Sequence, residues 1–593
     1  MPDASMTEAS TPTLHLIGDS RALGRVVSAL ADQHIVGVHL EAQGPDPRTD
    51  RAETLYIATP GTVYGVDLQA VRDLSPLLPL ITDGKRLKVF HHGKHTLSFL
   101  GILLGWTGAL GSLSPSLFDT YIASQLLDLN AAGHSVEDLV EQHFPSGLPR
   151  PKLAGESPLL SPGVLQGAAR AAALLPLREV LRPRLIEWDM VRVGKLEFDL
   201  VPAVADMELA GISIDMDRWQ KVWAPYRARR SALAEKLAHL LGDREQQSLF
   251  GAPRFNPDSH QETLEALRRL GLPVTNTGES HLRPSAQRHP AVRTLLEYRD
   301  VAKLIDSCGD LFPRFVHPQT GRVHARYNQI GARTGRMSCH DPNIQQVPRE
   351  PEIRACFRAE PGNVLIVADY SQVELRVAAA LSGDPRMLAA YRRGEDLHKL
   401  TASLISSIPV DRVGKEQRQA AKAVNFGLLY AMGAAGLARY AATQYGVHMT
   451  TQQAEAFRRR FFAAYTGIRQ WHDAARRLLA QAAHGSVEVR SVAGRRYLFN
   501  AEARLSTLLN APVQGSAADI MKRAMVRLHY ALAPLHGRIV AVVHDELLVE
   551  VPQVAAAEAA SLVRAHMEAA GNEFFPSVPF AVEADVRTAW GGD

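Results

Sequence analysis

Two short runs of apolar residues, each ending in acidic residues, organise the C-terminal half of the chain. Residues 364–368 are all apolar and predict a buried strand that ends at Asp369. Residues 538–543 predict a second strand, which leads through Asp545 and Glu546 into a further apolar run, as in a hairpin with an acidic tip. If the two strands lie in one sheet, their carboxylates can hold two Mg²⁺ ions about 3.5–4 Å apart.

A third pattern lies between these strands. Arg418, Lys422, Phe426 and Tyr430 follow one another at intervals of four residues, so a helix places them along one slowly turning face. Two cations suit the oxygens of a triphosphate, and two aromatic rings suit the face of a base. An amphipathic helix with a solvated basic end has the same pattern, and this segment alone does not separate the two interpretations.

The first third of the chain shows a different alternation. From Thr13 to about Arg184, short apolar runs alternate with helical patterns, which is typical of an α/β layer structure. Near Val191 the pattern changes to long helices, one of them over residues 216–241, and Ser259 is placed to cap the next helix. The strands predicted in the first third are residues 34–41, 54–58, 63–67 and 86–90.

Composition argues against a disulfide-linked, a secreted and a membrane-spanning protein. The chain has 593 residues and a formal net charge of +4, so it is long enough for several domains and only mildly basic. Its three cysteines, Cys308, Cys339 and Cys356, have no metal-ligand spacing and fit a reducing compartment. The polar residues 1–12 predict a disordered tail and no signal peptide. The apolar residues 98–113 are too few to span a bilayer, so we expect a cytoplasmic protein without membrane partners.

The patterns in the C-terminal half resemble the three signature motifs of the family A DNA polymerases, the family of bacterial DNA polymerase I. The motifs are residues 369–376 (DYSQVELR), the four-residue repeat from Arg418 to Tyr430, and residues 544–546 (HDE). The resemblance runs from about residue 200 to the C-terminus. Further similar stretches are residues 334–338, 341–345, 394–398 and 512–519.

This resemblance implies an α/β 3′–5′ exonuclease-like domain with a ribonuclease H-like fold, followed by an α+β polymerase domain with palm, fingers and thumb. It implies template-directed addition of dNTPs to a primer 3′ end, in DNA replication or repair, by a monomer. No 5′-nuclease domain is expected before Thr13. The implied boundaries are residues 13–190 for the exonuclease-like domain, 191–320 for the start of the polymerase region and the thumb, 321–385 and 506–593 for the palm, and 386–505 for the fingers.

The resemblance also implies roles for individual residues. Asp369, Asp545 and the backbone carbonyl of Tyr370 would hold two Mg²⁺ ions, for which Mn²⁺ can substitute. Glu546 would assist them, and Lys422 would protonate the leaving pyrophosphate. The implied dNTP contacts are His398, Arg418, Lys422, Phe426, Tyr430, Gln372 and Glu374. The implied contacts to primer–template DNA are Arg336, Asn343, Gln345, Arg376, Asn510, Gln514, His544 and Lys303.

Three positions have two interpretations each. Glu374 follows Ser371 at the spacing of a capping box, so it caps its helix, blocks a ribose 2′-hydroxyl as the resemblance implies, or does both. His398 is either a buried, satisfied histidine or a phosphate ligand. Ala431 stands where the family usually has glycine. Alanine is harmless there if the position is helical, but it slows closure of the fingers if the family glycine is a hinge.

The exonuclease-like domain departs from its family in all three acidic motifs. His39 and Glu41 stand where the resemblance places an Asp-x-Glu pair, and Thr96 stands at the Asp of the second motif. Residues 167–171 lack both the Tyr and the Asp of the third motif. Because such a domain needs four carboxylates around two metal ions, we expect no proofreading. The histidines that could act as substitute zinc ligands are His91, His92 and His95.

Three other functional classes compete with a DNA polymerase. They are a DNA-binding scaffold without activity, a nuclease that acts from the N-terminal domain, and an RNA-synthesising relative. The intact Asp369, Asp545, Arg418 and Lys422 disfavour a scaffold, and Glu374 disfavours RNA synthesis.

Overall fold

The computed structural model describes residues 11–105, 116–247, 253–482 and 485–592. It divides into two compact units, each drawn from separate segments of the chain. Most of the predicted tail lies outside the described residues, and the predicted domain boundaries stay predictions. The first unit is Met1–Ala210, Tyr327–Cys339 and Ile366–Val586, and the second is Gly211–Arg326, His340–Leu365 and Arg587–Asp593.

A mixed sheet of seven strands forms the N-terminal part of the first unit. Its strands are β1 (Thr13–Ile17), β2 (Ile35–Ala42), β3 (Ala52–Thr59), β4 (Thr62–Asp67), β5 (Leu87–Phe90), β6 (Leu117–Asp119) and β7 (Lys152–Leu153). Their order is β6-β5-β2-β3-β4-β1-β7, and the pairs β2–β3 and β3–β4 are antiparallel. The four predicted strands are therefore confirmed to within two residues. The helices of this part are α1 (Ser20–Ala29), α2 (Leu78–Thr82), α3 (Gly93–Leu103), α4 (Thr120–Leu127), α5 (Val136–His143) and α6 (Pro162–Glu187).

The second unit contains the long helix that the sequence predicts over residues 216–241. Its helices are α8 (Met216–Leu241), α9 (His260–Arg269), α10 (Glu279–Ala286), α11 (Pro290–Leu304) and α12 (Pro351–Arg354). The predicted cap of α9 is confirmed, because Ser259 Oγ accepts a hydrogen bond from the Glu262 backbone N–H at 3.2 Å. Trp219, Trp223 and Phe312 pack with other aromatic rings in the core of the unit. Its strands are β8 (Ile212–Ile214), β9 (Asp243–Gln247), β10 (Pro253–Arg254), β11 (Arg322–Val323) and β14 (Phe357–Arg358).

The remaining elements include the sheet that carries the predicted acids. This sheet has the order β18-β19-β15-β20, with β15 (Asn363–Tyr370), β18 (Arg538–Val543), β19 (Glu546–Pro552) and β20 (Val582–Arg587). The other strands are β12 (Arg326–Asn328), β13 (Ser338–His340), β16 (Val487–Arg490) and β17 (Arg496–Phe499). The helices are α7 (Val191–Ala210), α13 (Val373–Ser382), α14 (Pro385–Arg392), α15 (Leu397–Ser406), α16 (Lys415–Leu429), α17 (Ala434–Tyr445), α18 (Thr451–Ala464), α19 (Thr466–Gln481), α20 (Leu505–Leu532) and α21 (Ala556–Phe574). No helix among the described residues is both long and apolar enough to cross a membrane.

Four buried charges connect three of these elements inside the first unit. Glu197 on α7 forms an ion pair with Lys522 on α20 at 2.5 Å, and a second one with Arg495 next to β17. Arg495 also pairs with Asp519 on α20 at 3.3 Å, and Gln329 donates to Glu197 at 2.6 Å. Two acids and two bases balance one another, which is the condition under which buried charges are tolerated.

Asp384 joins two helices through one buried carboxylate. It is the N-cap of α14, where it accepts hydrogen bonds from the backbone N–H groups of Arg386 at 3.1 Å and Met387 at 3.0 Å. Its other oxygen accepts from the N–H groups of Gly467 at 2.8 Å and Ile468 at 3.4 Å, in the first turn of α19. A Cβ at residue 467 would lie 2.5 Å from the Asp384 Cα, so only glycine allows this approach.

We predict that Asp384→Ala lowers the free energy of unfolding by about 2 kcal/mol, because it removes two caps that are worth about 1 kcal/mol each. The matched control is Asp19→Ala, which removes one exposed cap, that of α1, and should have at most half this effect. Thermal and urea denaturation of the full chain measure the difference. Equal losses in the two variants would contradict the double cap.

Candidate active site

Two strand ends meet at the predicted acidic site. β15 ends with Asp369 and Tyr370, and the turn between β18 and β19 carries Asp545. β19 lies beside β15 in the sheet, and the backbone N–H of Tyr370 donates to the carbonyl of Asp545 at 3.3 Å. The prediction that both acidic strand ends share one sheet is confirmed.

Crowding shifts the titration of these carboxylates. The side chains of Asp369 and Asp545 reach solvent, but the surrounding protein limits their hydration. Burial raises the pKa of Asp369 to about 7, and the negative charges of Asp545, Glu546 and Glu583 add to this shift. Burial also raises the pKa of Asp545, whereas the nearby Arg336 opposes that shift. The site therefore favours the binding of positive charge.

The donor atoms fit Mg²⁺. Asp369, Asp545 and the carbonyl of Tyr370 offer only oxygen ligands. Among the described residues, no three His, Cys, Asp or Glu side chains are grouped so that they could hold a metal ion. Mg²⁺ is commonly bound by one or two carboxylates together with water and substrate phosphates. A sparse set of oxygen donors with crowded negative charge suits an ion that shares its ligands with a substrate.

One helix carries the predicted phosphate and base contacts. Arg418, Lys422 and Phe426 lie in α16, Tyr430 is its C-cap residue, and all four are half-buried. The predicted helix is confirmed. The Arg418 Nε donates to the carboxylate of Asp396 at 2.7 Å, and the same carboxylate caps α15. The guanidinium is therefore held in place by the start of the neighbouring helix.

His398 lies in the first turn of α15 and is 3% exposed. Burial lowers its pKa to about 4. Asp396 opposes this shift, and the positive charges of Arg418 and Lys422 add to it. The ring is neutral at pH 7, and its Nδ1 lies 2.9 Å from the Asn425 Nδ2. The histidine is buried and hydrogen-bonded, as one interpretation states, and it also lies close to the two cations that the other requires.

Glu374 does not cap its own helix, so the capping-box prediction is wrong. α13 begins at Val373, and its N-cap residue, Gln372, has φ = +57° and makes no side-chain cap. A capping serine needs an extended backbone at the N-cap position. Here Gln372 holds that position with a left-handed backbone, and Ser371 lies one residue before it. The Glu374 carboxylate instead accepts hydrogen bonds from Arg336 at 2.6 Å and from the Tyr430 hydroxyl at 2.6 Å. Two partners from other segments therefore fix its position.

The structure contradicts the predicted DNA contact of Arg376. This side chain is 8% exposed, and its guanidinium donates to the backbone carbonyls of Ser371 at 2.8 Å and of Pro579. It also lies 4.4 Å from the centre of the Tyr391 ring. The Tyr391 hydroxyl in turn donates to the Gln372 side chain at 3.2 Å. Arg376 therefore supports the turn between β15 and α13 from inside.

The other predicted DNA contacts stay predictions. Asn510 and Gln514 lie one turn apart on α20 and are half-buried. In the second unit, Lys303 is exposed in the last turn of α11, and Asn343 accepts a hydrogen bond from the backbone N–H of Gln345 at 3.1 Å. Lys303 lies on the surface, and Asn343 and Gln345 lie in a short turn, where side chains are able to reach a ligand.

Besides Gln372, two further non-glycine residues beside the site have left-handed backbones. Ala431, directly after the cap of α16, has φ = +59°, and His544, in the hairpin turn, has φ = +60°. This conformation costs an L-residue about 1–2 kcal/mol. Position 431 is therefore not helical, and alanine is restricted there in a way that the family glycine is not.

In the exonuclease-like region, an ion pair involves the one retained acid of the first motif. Glu41 accepts hydrogen bonds from the His39 Nε2 at 2.9 Å and from Arg170 at 2.7 Å, and Arg170 also donates to Glu137 at 2.7 Å. Burial alone would raise the pKa of Glu41, but His39 and Arg170 lower it to about 2. Protein side chains therefore neutralise this carboxylate.

The other two motifs also lack expected residues: Thr96 stands at the Asp of the second motif, and Gly167 stands at the Tyr of the third. Thr96 is buried within α3. A Cβ at Gly167 would lie 2.6 Å from the ring of Tyr56, whose hydroxyl donates to the Val164 carbonyl at 3.1 Å. The ring of Tyr56 therefore occupies the space that a larger residue at position 167 would need.

The histidines considered as zinc ligands have other surroundings. The His91 Nδ1 lies 2.9 Å from the Thr120 hydroxyl, and the His92 ring stacks on Tyr121 with centres 3.8 Å apart. His95 lies on α3, its ring against that of a phenylalanine. In the part of the chain that the structure describes, these histidines form no group able to hold a metal ion, which contradicts the zinc alternative.

Comparison with known proteins agrees with the site and with the N-terminal sheet. Residues 227–592 match the model of DNA polymerase family A, and residues 14–148 match that of a 3′–5′ exonuclease. A solved structure described as the POL domain of Pol1 from M. smegmatis in complex with DNA primer-template and dNTP aligns with a TM-score of 0.81 at 28% identity. The alignment covers 97% of this chain and 99% of that one.

Three curated relatives extend this comparison. DNA polymerase I of Aquifex aeolicus is 31% identical over 92% of this chain and 94% of its own length. DNA polymerase I of Pseudomonas aeruginosa is 33% identical over 91% of this chain, and the thermostable enzyme of Thermus filiformis is 38% identical over 71%. The matches span only 60% and 51% of these last two proteins. The chain therefore belongs to DNA polymerase family A, the family of DNA-directed DNA polymerases that includes bacterial DNA polymerase I.

Proposed function

We propose that this chain adds dNTPs to the 3′ end of a primer by two-metal phosphoryl transfer, and that it does not proofread. The observation that carries the proposal is the meeting of Asp369 and Asp545 at the ends of two adjoining strands, where crowding raises the pKa of both carboxylates. Primer–template DNA and dNTPs are the partners of this reaction. We further propose that the chain acts as a monomer in the cytoplasm.

The carboxylates of Asp369 and Asp545 and the carbonyl of Tyr370 would hold Mg²⁺ or Mn²⁺, with Glu546 assisting. When bound, the metal ions would lower the pKa of the primer hydroxyl and neutralise the triphosphate. The protein contributes position, because in-line phosphoryl transfer depends mainly on orientation and on stabilisation of charge. The hydrogen bond between Tyr370 and Asp545 keeps the two strand ends in register for this task.

The triphosphate is proposed to lie against α15 and α16. Arg418 has its Nε on Asp396 and keeps its terminal nitrogens for a bidentate phosphate contact. Lys422, one turn further along, would transfer a proton to the leaving pyrophosphate. Neutral His398 would contribute a hydrogen bond without adding charge.

The nascent base pair is proposed to lie against Phe426 and Tyr430, with Gln372 and Glu374 at the sugar of the dNTP. Arg336 and Tyr430 fix the carboxylate of Glu374, so it is rigid enough to exclude a ribose 2′-hydroxyl. Further contacts to the DNA are proposed for Asn510, Gln514, His544, Asn343, Gln345 and Lys303. Contacts in the minor groove would test base-pair geometry without reading sequence, because its acceptors are nearly the same in every correct pair.

The exonuclease-like region is proposed to be a scaffold for the polymerase. The Lys94 ammonium on α3 pairs with Glu208 on α7 at 2.7 Å and donates to the Tyr327 carbonyl at 2.6 Å. Arg333, in the Tyr327–Cys339 segment, donates to the Asn130 side chain at 3.0 Å. These contacts link α3 and the loop after α4 to segments that the predicted boundaries assign to the polymerase region.

We predict that Asp369→Ala and Asp545→Ala each abolish nucleotide addition in a primer-extension assay with Mg²⁺ and dNTPs, while binding of duplex DNA is retained. Because each acid holds ions in common with the other, the losses should not add in the double variant. Asp73→Ala, a change to an exposed acid of the N-terminal region, is the control. Extension at a near wild-type rate by either variant would refute the assignment.

The raised pKa of Asp369 predicts that metal binding depends on pH. A proton competes with the metal for this carboxylate below about pH 7, so the apparent Kd for Mn²⁺ should rise about tenfold for each pH unit below 7 and level off above it. Electron paramagnetic resonance of free Mn²⁺ measures this in the absence of DNA. An affinity that stays constant between about pH 5.5 and 8 would contradict the assignment.

For the sugar, we predict that Glu374→Ala increases the use of ribonucleotides relative to deoxyribonucleotides, because it removes the carboxylate proposed to meet the 2′-hydroxyl. Glu374→Gln, which keeps nearly the same shape, should retain most of the discrimination. Single-nucleotide incorporation with rNTP and dNTP gives the ratio of kcat/KM values. An unchanged ratio in the alanine variant would leave Glu374 with only its contacts to Arg336 and Tyr430.

The ion pair at Glu41 predicts that the chain does not shorten a primer. A 5′-labelled primer with a mismatched 3′ end should remain intact in Mg²⁺ or Mn²⁺ without dNTPs, over a period in which added dNTPs would be fully used. Glu41→Ala is the matched variant and should give the same result. Stepwise shortening that disappears in Glu41→Ala would show an active exonuclease.

A further inference from the structure

A chain of buried polar groups runs from His398 into the interior of the helices around it. His398 and Thr401 lie on α15, Asn425 lies on α16, and Tyr465 joins α18 to α19. All four side chains are buried. The His398 Nδ1 lies 2.9 Å from the Asn425 Nδ2, the Thr401 hydroxyl lies 3.0 Å from the Asn425 Oδ1, and the Tyr465 hydroxyl lies 2.7 Å from that of Thr401.

The order of donors along this chain determines the protonation of the ring. When the Thr401 hydroxyl donates to the amide oxygen of Asn425, it accepts from Tyr465, and the amide nitrogen of Asn425 is the atom that faces His398. An amide nitrogen donates and does not accept, and therefore the His398 Nδ1 must present its lone pair. A neutral ring with a lone pair on Nδ1 carries its proton on Nε2.

We propose that Asn425 is a positioning residue that holds His398 in the neutral, Nε2-protonated tautomer, so that the ring offers a fixed hydrogen-bond donor to the phosphates of a dNTP. The inference rests on the proposed nucleotide contact of His398. It explains why the buried amide of Asn425 lies against the Nδ1 side of the ring. Without that amide, a neutral imidazole can place its proton on either nitrogen, and a ring with a bare Nε2 would face a phosphate as a second acceptor.

The charges around the ring explain why a neutral donor is suited to this place. Asp396 favours a protonated His398, whereas Arg418 and Lys422 disfavour it. The Phe426 ring, 6.1 Å from the imidazole between ring centres, adds no charge. A third cation in this buried position would repel the other two. A neutral N–H donor avoids that repulsion and still bonds to a phosphate oxygen.

The order of donors depends on which acceptor receives the proton of the Thr401 hydroxyl. That hydroxyl also lies 2.8 Å from the Leu397 carbonyl, which competes for the same proton. If that carbonyl received the proton, the Asn425 amide would turn round, its oxygen would face His398, and the ring would carry its proton on Nδ1. The two arrangements are distinguished by the tautomer of one histidine.

The test is long-range ¹⁵N–¹H correlation spectroscopy of the full ¹⁵N-histidine-labelled chain at pH 7 without nucleotide. His398→Gln identifies the signal of His398. His472 is an internal reference, because it is buried in the same unit and its Nε2 donates to the Leu429 carbonyl at 2.9 Å. We expect the Nε2–H pattern for both histidines. An Nδ1–H pattern for His398 would overturn the proposal.

Asn425→Asp is the matched variant, because its carboxylate has nearly the same shape as the amide and can only accept. It should move the proton of His398 to Nδ1, or protonate the ring, and leave His472 unchanged. The KM for dNTP should rise about tenfold, as for one lost hydrogen bond to a charged group, while kcat changes by less than about threefold. An unchanged tautomer or an unchanged KM would overturn the role of Asn425.

Two further variants complete the test. Thr401→Val removes the hydroxyl that orients the amide and should give a mixture of His398 tautomers, whereas Thr401→Ser should behave like the wild type. This pair also serves if Asn425→Asp does not fold. In a His398→Gln background, Asn425→Asp should raise KM no further. If His398→Gln alone leaves KM unchanged, the proposed nucleotide contact fails and the role inferred here fails with it, whichever tautomer is observed.

Discussion

The four buried charges around Glu197 constrain the structure because each of them must keep a partner of opposite charge. They join α7, the hairpin of β16 and β17, and α20 at a place where none of the charges can be solvated. Removal of one partner would leave an unpaired charge in the interior, at a cost of about 3–5 kcal/mol. Because α20 also carries Asn510 and Gln514, the helix that holds two of the proposed DNA contacts is anchored by ion pairs within one turn, at Asp519 and Lys522.

The proposed active site depends on backbone geometry as much as on side chains. Gln372, Ala431 and His544 all have left-handed φ values, and each lies within or directly next to one of the three signature motifs. Strained positions of this kind persist where the surrounding structure determines them, and they often lie at functional sites. In each case the turn redirects the chain next to residues with proposed roles: Glu374, Tyr430 and Asp545.

Local patterns predicted much of this structure. The strand that ends at Asp369, the helix from Arg418 to Tyr430 and the cap at Ser259 depend on neighbours in sequence, and the sequence shows those neighbours. The burial of Arg376 did not follow from its motif, because its partner Pro579 lies 203 residues away. The partners of Glu374 and the link between His398 and Asn425 escaped prediction for the same reason. Periodicity places a residue on a face but does not show what that face meets.

The ion pair at Glu41 changes how the N-terminal region is held together. Carboxylates that serve metal ions repel one another until cations from solution or protons offset their charge, whereas Arg170 is a counter-ion attached to the chain itself. If the region holds no divalent ions, as proposed above, this ion pair ties β2 to α6 without any cation from solution. An acid at position 39 would lie beside Glu41, whose charge Arg170 already offsets, so Arg170 would compete with any metal ion for these carboxylates.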